Sequence, residues 1–334
     1  MMHSLLAMDT ELFCVCNTFQ AGFPTAFLSF ESIGKRLFSG VLTETRPMDN
    51  MPLHFDLPQE DELATCLLTG GRFSPYMSLY FMRDEYDYRK FQTMRDDGMG
   101  GRKVKSHEVD TWIQCFQKLI NKLKCRDILL QRRKNSENRH ITQSNDTYSN
   151  SESYFPHRLL LKSPCHTGRA ELLLRMYPKA KFVYIHRNPY EVFLSGAHMA
   201  STTYGYMFLQ RPTDAMLQEY ILRQGELLIE EYIRCKQIGI LNESNLVEVS
   251  FEDLTTKPYE TVKTIYQNLD LRINFESSDF SQALQKECKK LRGYKRNSYE
   301  KVLLHDNIIQ EINSRWACQF DTFGYNKEEV NGKI

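Results

Sequence analysis

Three observations predict an α/β protein of three layers, with a parallel central sheet flanked by helices on both faces. Short apolar runs recur through the second half of the chain, stretches of helical periodicity separate them, and the runs are apolar throughout rather than alternating, as in doubly covered strands. Arg158–Ser163 (RLLLKS) is the first such run. Helical spacing follows through Leu172, Leu173 and Met176, with Pro178 as the stop. Lys181–His186 (KFVYIH) is the second, continuous and rich in aromatic and β-branched residues. Asn188, Pro189 and Glu191 then supply an N-cap, a first-turn proline and a first-turn carboxylate. Met216, Leu217, Tyr220, Ile221, Leu228, Tyr232 and Cys235 mark one face of a long helix, and Asn245–Ser250 (NLVEVS) is the third strand. Pro258 opens a helix with Tyr259, Val262, Ile265, Tyr266 and Leu269 inward. A last helix turns Ile309, Ile312, Trp316, Phe320 and Phe323 inward and ends at Gly324. The first half is less regular, with helical stretches around Met77–Arg95 and Thr111–Leu130 and no solenoid repeat.

The 334 residues fit one large domain over 1–330. The polar stretch from Gln131 to Tyr154 offers too little apolar surface to order itself and reads as a disordered insertion within that domain. Lys and Arg number 43 against 42 Asp and Glu, so no global field favours nucleic acid or an anionic membrane. No apolar stretch reaches the ~18–20 residues of a membrane span, and the first residues lack a signal-peptide pattern. Nine scattered cysteines read as reduced thiols, so the chain as written is expected in the cytoplasm. No metal is implied, since Cys14 and Cys16 are too close for an ordinary zinc pair.

Two strand ends carry candidate chemistry. Arg187 leaves a strand at the start of a helix, where free N–H groups, the helix dipole and a guanidinium fork together suit a phosphate. Ser195, two turns on, shares that face; an arginine capping a sheet edge and a serine in a helix–sheet seam would read the same. One strand earlier, Lys162 and His166 in Leu161-Lys162-Ser163-Pro164-Cys165-His166 lie where open α/β sheets bind ligands. They are suited to steadying a leaving oxyanion and accepting a proton, although a structural histidine fits as well.

The stretch from Arg158 to Ser195 resembles the sulfotransferases that use 3′-phosphoadenosine 5′-phosphosulfate (PAPS), in the branch with a Lys-Ser-Pro-x-His turn. That resemblance implies a P-loop-like fold and transfer of a sulfuryl group from PAPS to a hydroxyl or amine, leaving adenosine 3′,5′-bisphosphate (PAP). It implies that Arg187 and Ser195 bind the 3′-phosphate, that Lys162 assists transfer, and that His166 takes the acceptor's proton. Arg46-Pro47-Met48-Asp49-Asn50 and Pro58-Gln59-Glu60-Asp61-Glu62 resemble two further signatures of the branch, making Glu60 a rival base. The acidic cluster reads equally as a solvated helix start. Phe251, in Ser250-Phe251-Glu252-Asp253-Leu254, stands at the strand end that contacts adenine in the family. Arg292, Lys295 and Arg296 lie in a basic segment resembling the one that closes over the 3′-phosphate. The acceptor is a small molecule, lipid or carbohydrate; no nucleic acid is expected, and a homodimer is compatible with the pattern.

Members of the family begin with a strand and a loop that wraps the 5′-phosphosulfate. Met1–Ala7 resembles the helix after that loop, so the sequence is expected to lack the loop and to have a truncated N-terminus. Leu12–Cys16 can pair as a strand but carries no glycine or hydroxyl cradle, and Gly98–Lys103 reads as a flexible loop. Two alternatives follow: a catalytically impaired PAP- or PAPS-binding pseudoenzyme, and a nucleotide kinase, which the lack of a Walker lysine disfavours. An N-terminal anchor, if one belongs to the protein, would make a Golgi membrane its place.

Overall fold

Strands form where the apolar runs predict them. The computed structural model describes residues 1–46, 51–95, 103–141, 157–291 and 304–329. In chain order, α1 (Met2–Leu6) leads to β1 (Phe13–Val15), which lies within the run Leu12–Cys16. Four helices follow, α2 (Thr18–Gly22), α3 (Phe27–Leu37), α4 (Asp61–Leu68) and α5 (Met77–Tyr80). After the short α6 (Glu85–Tyr88) comes the long α7 (Ser106–Ile141). The α/β rhythm then runs β2 (Arg158–Leu160), α8 (Ala170–Met176), β3 (Phe182–His186), α9 (Pro189–Thr202), α10 (Asp214–Gln237) and β4 (Leu246–Ser250). It closes with α11 (Phe251–Thr256), α12 (Pro258–Asn268), α13 (Asp279–Leu291), α14 (Asp306–Arg315) and α15 (Ala317–Phe323).

All strand pairing is parallel among the described residues. β1 lies beside β2, with Cys14 opposite Leu159, and β3 beside β4, with Tyr184 opposite Glu248. The two pairs are not hydrogen-bonded to each other among the described residues. They nevertheless form one layer, because they share both packing faces. Leu160 and Val183 lie against a cluster containing Leu5, Val262, Ile265 and Tyr266, whereas Leu159, Leu161 and Phe182 lie against one built on Trp112, Phe116 and Leu172. A cavity of about 550 Å³ lined by Arg158, Lys179, Lys181 and Asn245 opens at their amino ends. On one face α12 buries Val262, Ile265 and Tyr266, with Leu269 buried at its C-cap, as its spacing predicts, while the predicted Tyr259 is half-buried. Each such side chain contributes roughly 1.5–3 kcal/mol by leaving water.

Two expectations are corrected. The final helix is two: α14 and α15 meet at Trp316, where the backbone leaves helical geometry. The fully buried indole donates to the Leu222 carbonyl (2.9 Å). It also lies so close to Gly225 that a Cβ there would stand 2.4 Å from the ring. The tryptophan is thus fixed by α10, and the chain bends around it; Gly324 ends α15 with φ of 69°, as expected. The first part of the stretch read as a disordered insertion is helical instead. Residues 131–141 continue α7, since Gln, Arg, Lys and Glu are good helix formers even without an apolar face. Residues 142–154 lie outside those described. All nine cysteines are free thiols.

Candidate active site

Parallel pairing brings the carboxyl ends of β2, β3 and β4 to one edge, and each delivers a predicted site residue there. Arg187 follows β3 and Phe251 follows β4. With His186 opposite Ser250 in the register, their side chains meet, the guanidinium carbon 4.4 Å from the ring centroid. Arg187 Nε also donates to Glu191 (2.6 Å) in the first turn of α9. That helix starts as predicted: the Asn188 side chain accepts from the Tyr190 amide (3.0 Å), and Pro189 occupies the first turn. A cation, an aromatic face and a helix N-terminus therefore converge. Ser195 sits further along α9, half-buried. From behind, Tyr325 bonds His186 (2.7 Å), and Gln319 donates to the Arg187 carbonyl (3.3 Å). Arg292, Lys295 and Arg296 lie outside the described residues, as do residues 47–50 and 96–102.

The second group forms between the start of α4 and the turn after β2. Carboxylates belong at a helix N-terminus, but here they do more than face solvent, contrary to the simpler reading. Three consecutive ones each engage a basic residue of the turn. Glu60 makes a close ion pair with Lys162. Asp61 accepts from His166 Nε2 (2.7 Å) and from the Lys162 backbone N–H (3.1 Å). Glu62 pairs with Arg169, both side chains fully buried. Arg169 also donates to the Phe91 carbonyl (3.0 and 2.7 Å) and lies over the Trp112 ring. Burial opposes the Asp61 charge, but the neighbouring His166 outweighs it and holds the carboxyl below its ordinary value.

Exposure distinguishes the two candidate bases. Because the carboxylate accepts, His166 Nε2 carries the proton. Its Nδ1 is sealed from solvent with no hydrogen-bond partner among the described residues, and the ring meets Phe116 in a T-shaped contact. Glu60 remains 23% exposed and Lys162 46%, so these two face the opening. The other oxygen of Glu60 accepts a close hydrogen bond from the Tyr76 hydroxyl. Burial, and then the Glu60 charge, pushes Tyr76 well above the usual phenol range. Tyr204 is raised to about 12 by burial, with the Glu60 charge the next cause.

His3 completes the surroundings. Burial first, and then the Lys162 charge, lowers it from 6.5 to about 4. The folded protein thus holds a neutral imidazole that gains a proton on unfolding near pH 6.5. Its contribution is intact above pH 6.5 and is lost as pH falls through about 4. We expect the urea midpoint to decline across that window, with His3→Leu flattening the decline. The same slope in both proteins would contradict the burial of His3.

Glu60, Lys162 and His166 are thus brought together, as are Arg187 and Phe251. Asp61 and His3 escaped sequence reasoning as site residues. A usable signal did exist: three adjacent acids at a helix start, and three basic residues, Lys162, His166 and Arg169, spaced as on one helix face. One further group, Glu171, Glu231 and Cys235, places three ligand atoms within 4.8 Å of one another, and Arg234 is hydrogen-bonded to both of its carboxylates.

A parallel α/β sheet that presents a lysine and an arginine at its strand ends, with a carboxylate from the start of α4 beside the lysine, fits the P-loop-like class of folds. Comparison with known proteins narrows the class. A sequence profile described as the sulfotransferase family matches residues 73–276. The chain is 25% identical over 287 residues to omega-hydroxy-beta-dihydromenaquinone-9 sulfotransferase Stf3 of Mycobacterium bovis, and equally to that of Mycobacterium tuberculosis, covering 86% of this chain. It spans 62% of those relatives' length. Among solved structures, sulfotransferase STF1 of M. tuberculosis superposes with a TM-score of 0.57 at 13% identity, over 95% of this chain and 72% of that one. STF9 of Mycobacterium avium gives 0.58 at 15%, over 99% and 75%. The chain belongs to the sulfotransferase family. No described helix is long and apolar enough to cross a membrane.

Proposed function

We propose that this protein transfers the sulfuryl group of PAPS to the hydroxyl of a small molecule, with Glu60 as the base. The observation that carries this reading is the Glu60–Lys162 pair at the open end of β2. Arg187, Ser195 and the α9 N-terminus would hold the 3′-phosphate, and Phe251 would cover adenine. A guanidinium already lying on an aromatic face at a helix start is the donor set such a nucleotide needs. PAPS, when bound, supplies the activated sulfuryl group.

Glu60 accepts the acceptor's hydroxyl proton as the new O–S bond forms. The bond from sulfur to the 5′-phosphate breaks, its electron pair stays on the phosphate oxygen, and Lys162 neutralises that charge. His166 acts through Asp61, whose other oxygen fixes the backbone of Lys162. The likeness to enzymes named for a hydroxylated menaquinone supports an acceptor of lipid character. The test is transfer of radiolabelled sulfate from PAPS to a panel of hydroxylated lipids, with PAP formed in equal amount. PAP binding without any transfer would favour the pseudoenzyme, and failure to bind PAP would remove both readings.

A further inference from the structure

We propose that Tyr76 is a positioning residue that fixes which oxygen of Glu60 serves as the base. This rests on the role proposed for Glu60. The two oxygens of that carboxylate have different partners: Lys162 at Oε1 and the Tyr76 hydroxyl at Oε2. Their mobility differs as well. Lys162 is half-exposed on a flexible stem and free to swing towards an anionic donor, whereas Tyr76 is anchored.

The anchoring can be followed bond by bond into the core. The Tyr76 amide lies 3.3 Å from Ser74 Oγ, which donates to Glu62 (2.7 Å). Glu62 is locked to Arg169, and Arg169 to the Phe91 carbonyl. Ser74 is 1% exposed and Glu62 and Arg169 no more, so the support is rigid. The phenol stays protonated at any working pH and remains a donor. When Lys162 turns to the leaving oxygen, Oε1 is released while Oε2 stays engaged. The acceptor's proton then goes to Oε1, and the hydrogen bond at Oε2 favours the ionised carboxylate. Tyr76 touches no reacting atom; it sets the orientation and basicity of the group that does.

The test uses carbon-13 labelling at the glutamate carboxyl carbon, with the Glu60 signal assigned by its loss in Glu60→Gln. In Tyr76→Phe the Glu60 signal should change at a higher pH than in the wild type, because a hydrogen bond to the ionised carboxylate is lost. Tyr80→Phe, a nearby phenol without that bond, should leave it in place. PAP affinity should match the wild type in both variants, and where transfer is measured, the acidic limb of kcat/KM should move with the Glu60 signal. An unmoved Glu60 signal in Tyr76→Phe overturns the proposal even if the protein transfers sulfate. A displaced signal in a protein that neither binds PAP nor transfers sulfate would sustain the role of Tyr76 and sink the proposed function instead.

Discussion

Arg169→Met is expected to destabilise the protein by about 3–5 kcal/mol, because it leaves the Glu62 carboxylate buried without its counter-charge. Both side chains of the pair are fully buried, and Arg169 also satisfies the Phe91 carbonyl from the segment before α7. A typical domain is stable by only ~5–15 kcal/mol, so the single variant should approach the limit of folding. Combining Arg169→Met with Glu62→Leu removes both charges and should recover much of the loss. Urea unfolding of the wild type, both single variants and the double variant closes the cycle. Costs that simply add would show that the two residues do not act as a pair.

Glu60→Gln is expected to lower the transfer rate by about 10²–10⁴, the range for loss of a general base. Glutamine keeps the size and can still accept from Tyr76, so the fold and PAP binding should persist. His166→Asn gives the contrast. Its imidazole is bonded to Asp61, which accepts from the Lys162 backbone, so its loss should be smaller than that of Glu60 and should be accompanied by lower stability. Steady-state rates with saturating donor decide between them. A larger loss in His166→Asn than in Glu60→Gln would return the base to the histidine.

The parts of this molecule that local chemistry dictates were legible from sequence. Asn188 and Pro189 fix the start of α9, so the position of Arg187 at the end of β3 followed directly. The run of residues 246–250 fixes β4, and parallel pairing then places Phe251 beside that arginine. What escaped depends on partners distant in the chain. Asp61 and Glu62 meet Lys162 and Arg169 across separations of 101 and 107 residues. At a helix start, a buried carboxylate and a solvated one have the same sequence. Trp316 shows the same limit: its helical periodicity continues unbroken, and only the indole's bond to Leu222 on α10 reveals the bend. Residues 131–141 show the reverse, where an absence of apolar residues was read as disorder although the residues favour helix.

The claim on which the rest depends is that Arg187 and Phe251 form a nucleotide site at the strand ends, and calorimetric titration with PAP tests it most directly. The wild type should bind PAP measurably, and Arg187→Ala at least tenfold more weakly, equivalent to about 1.4 kcal/mol or more. Equal affinity in the two proteins would contradict it.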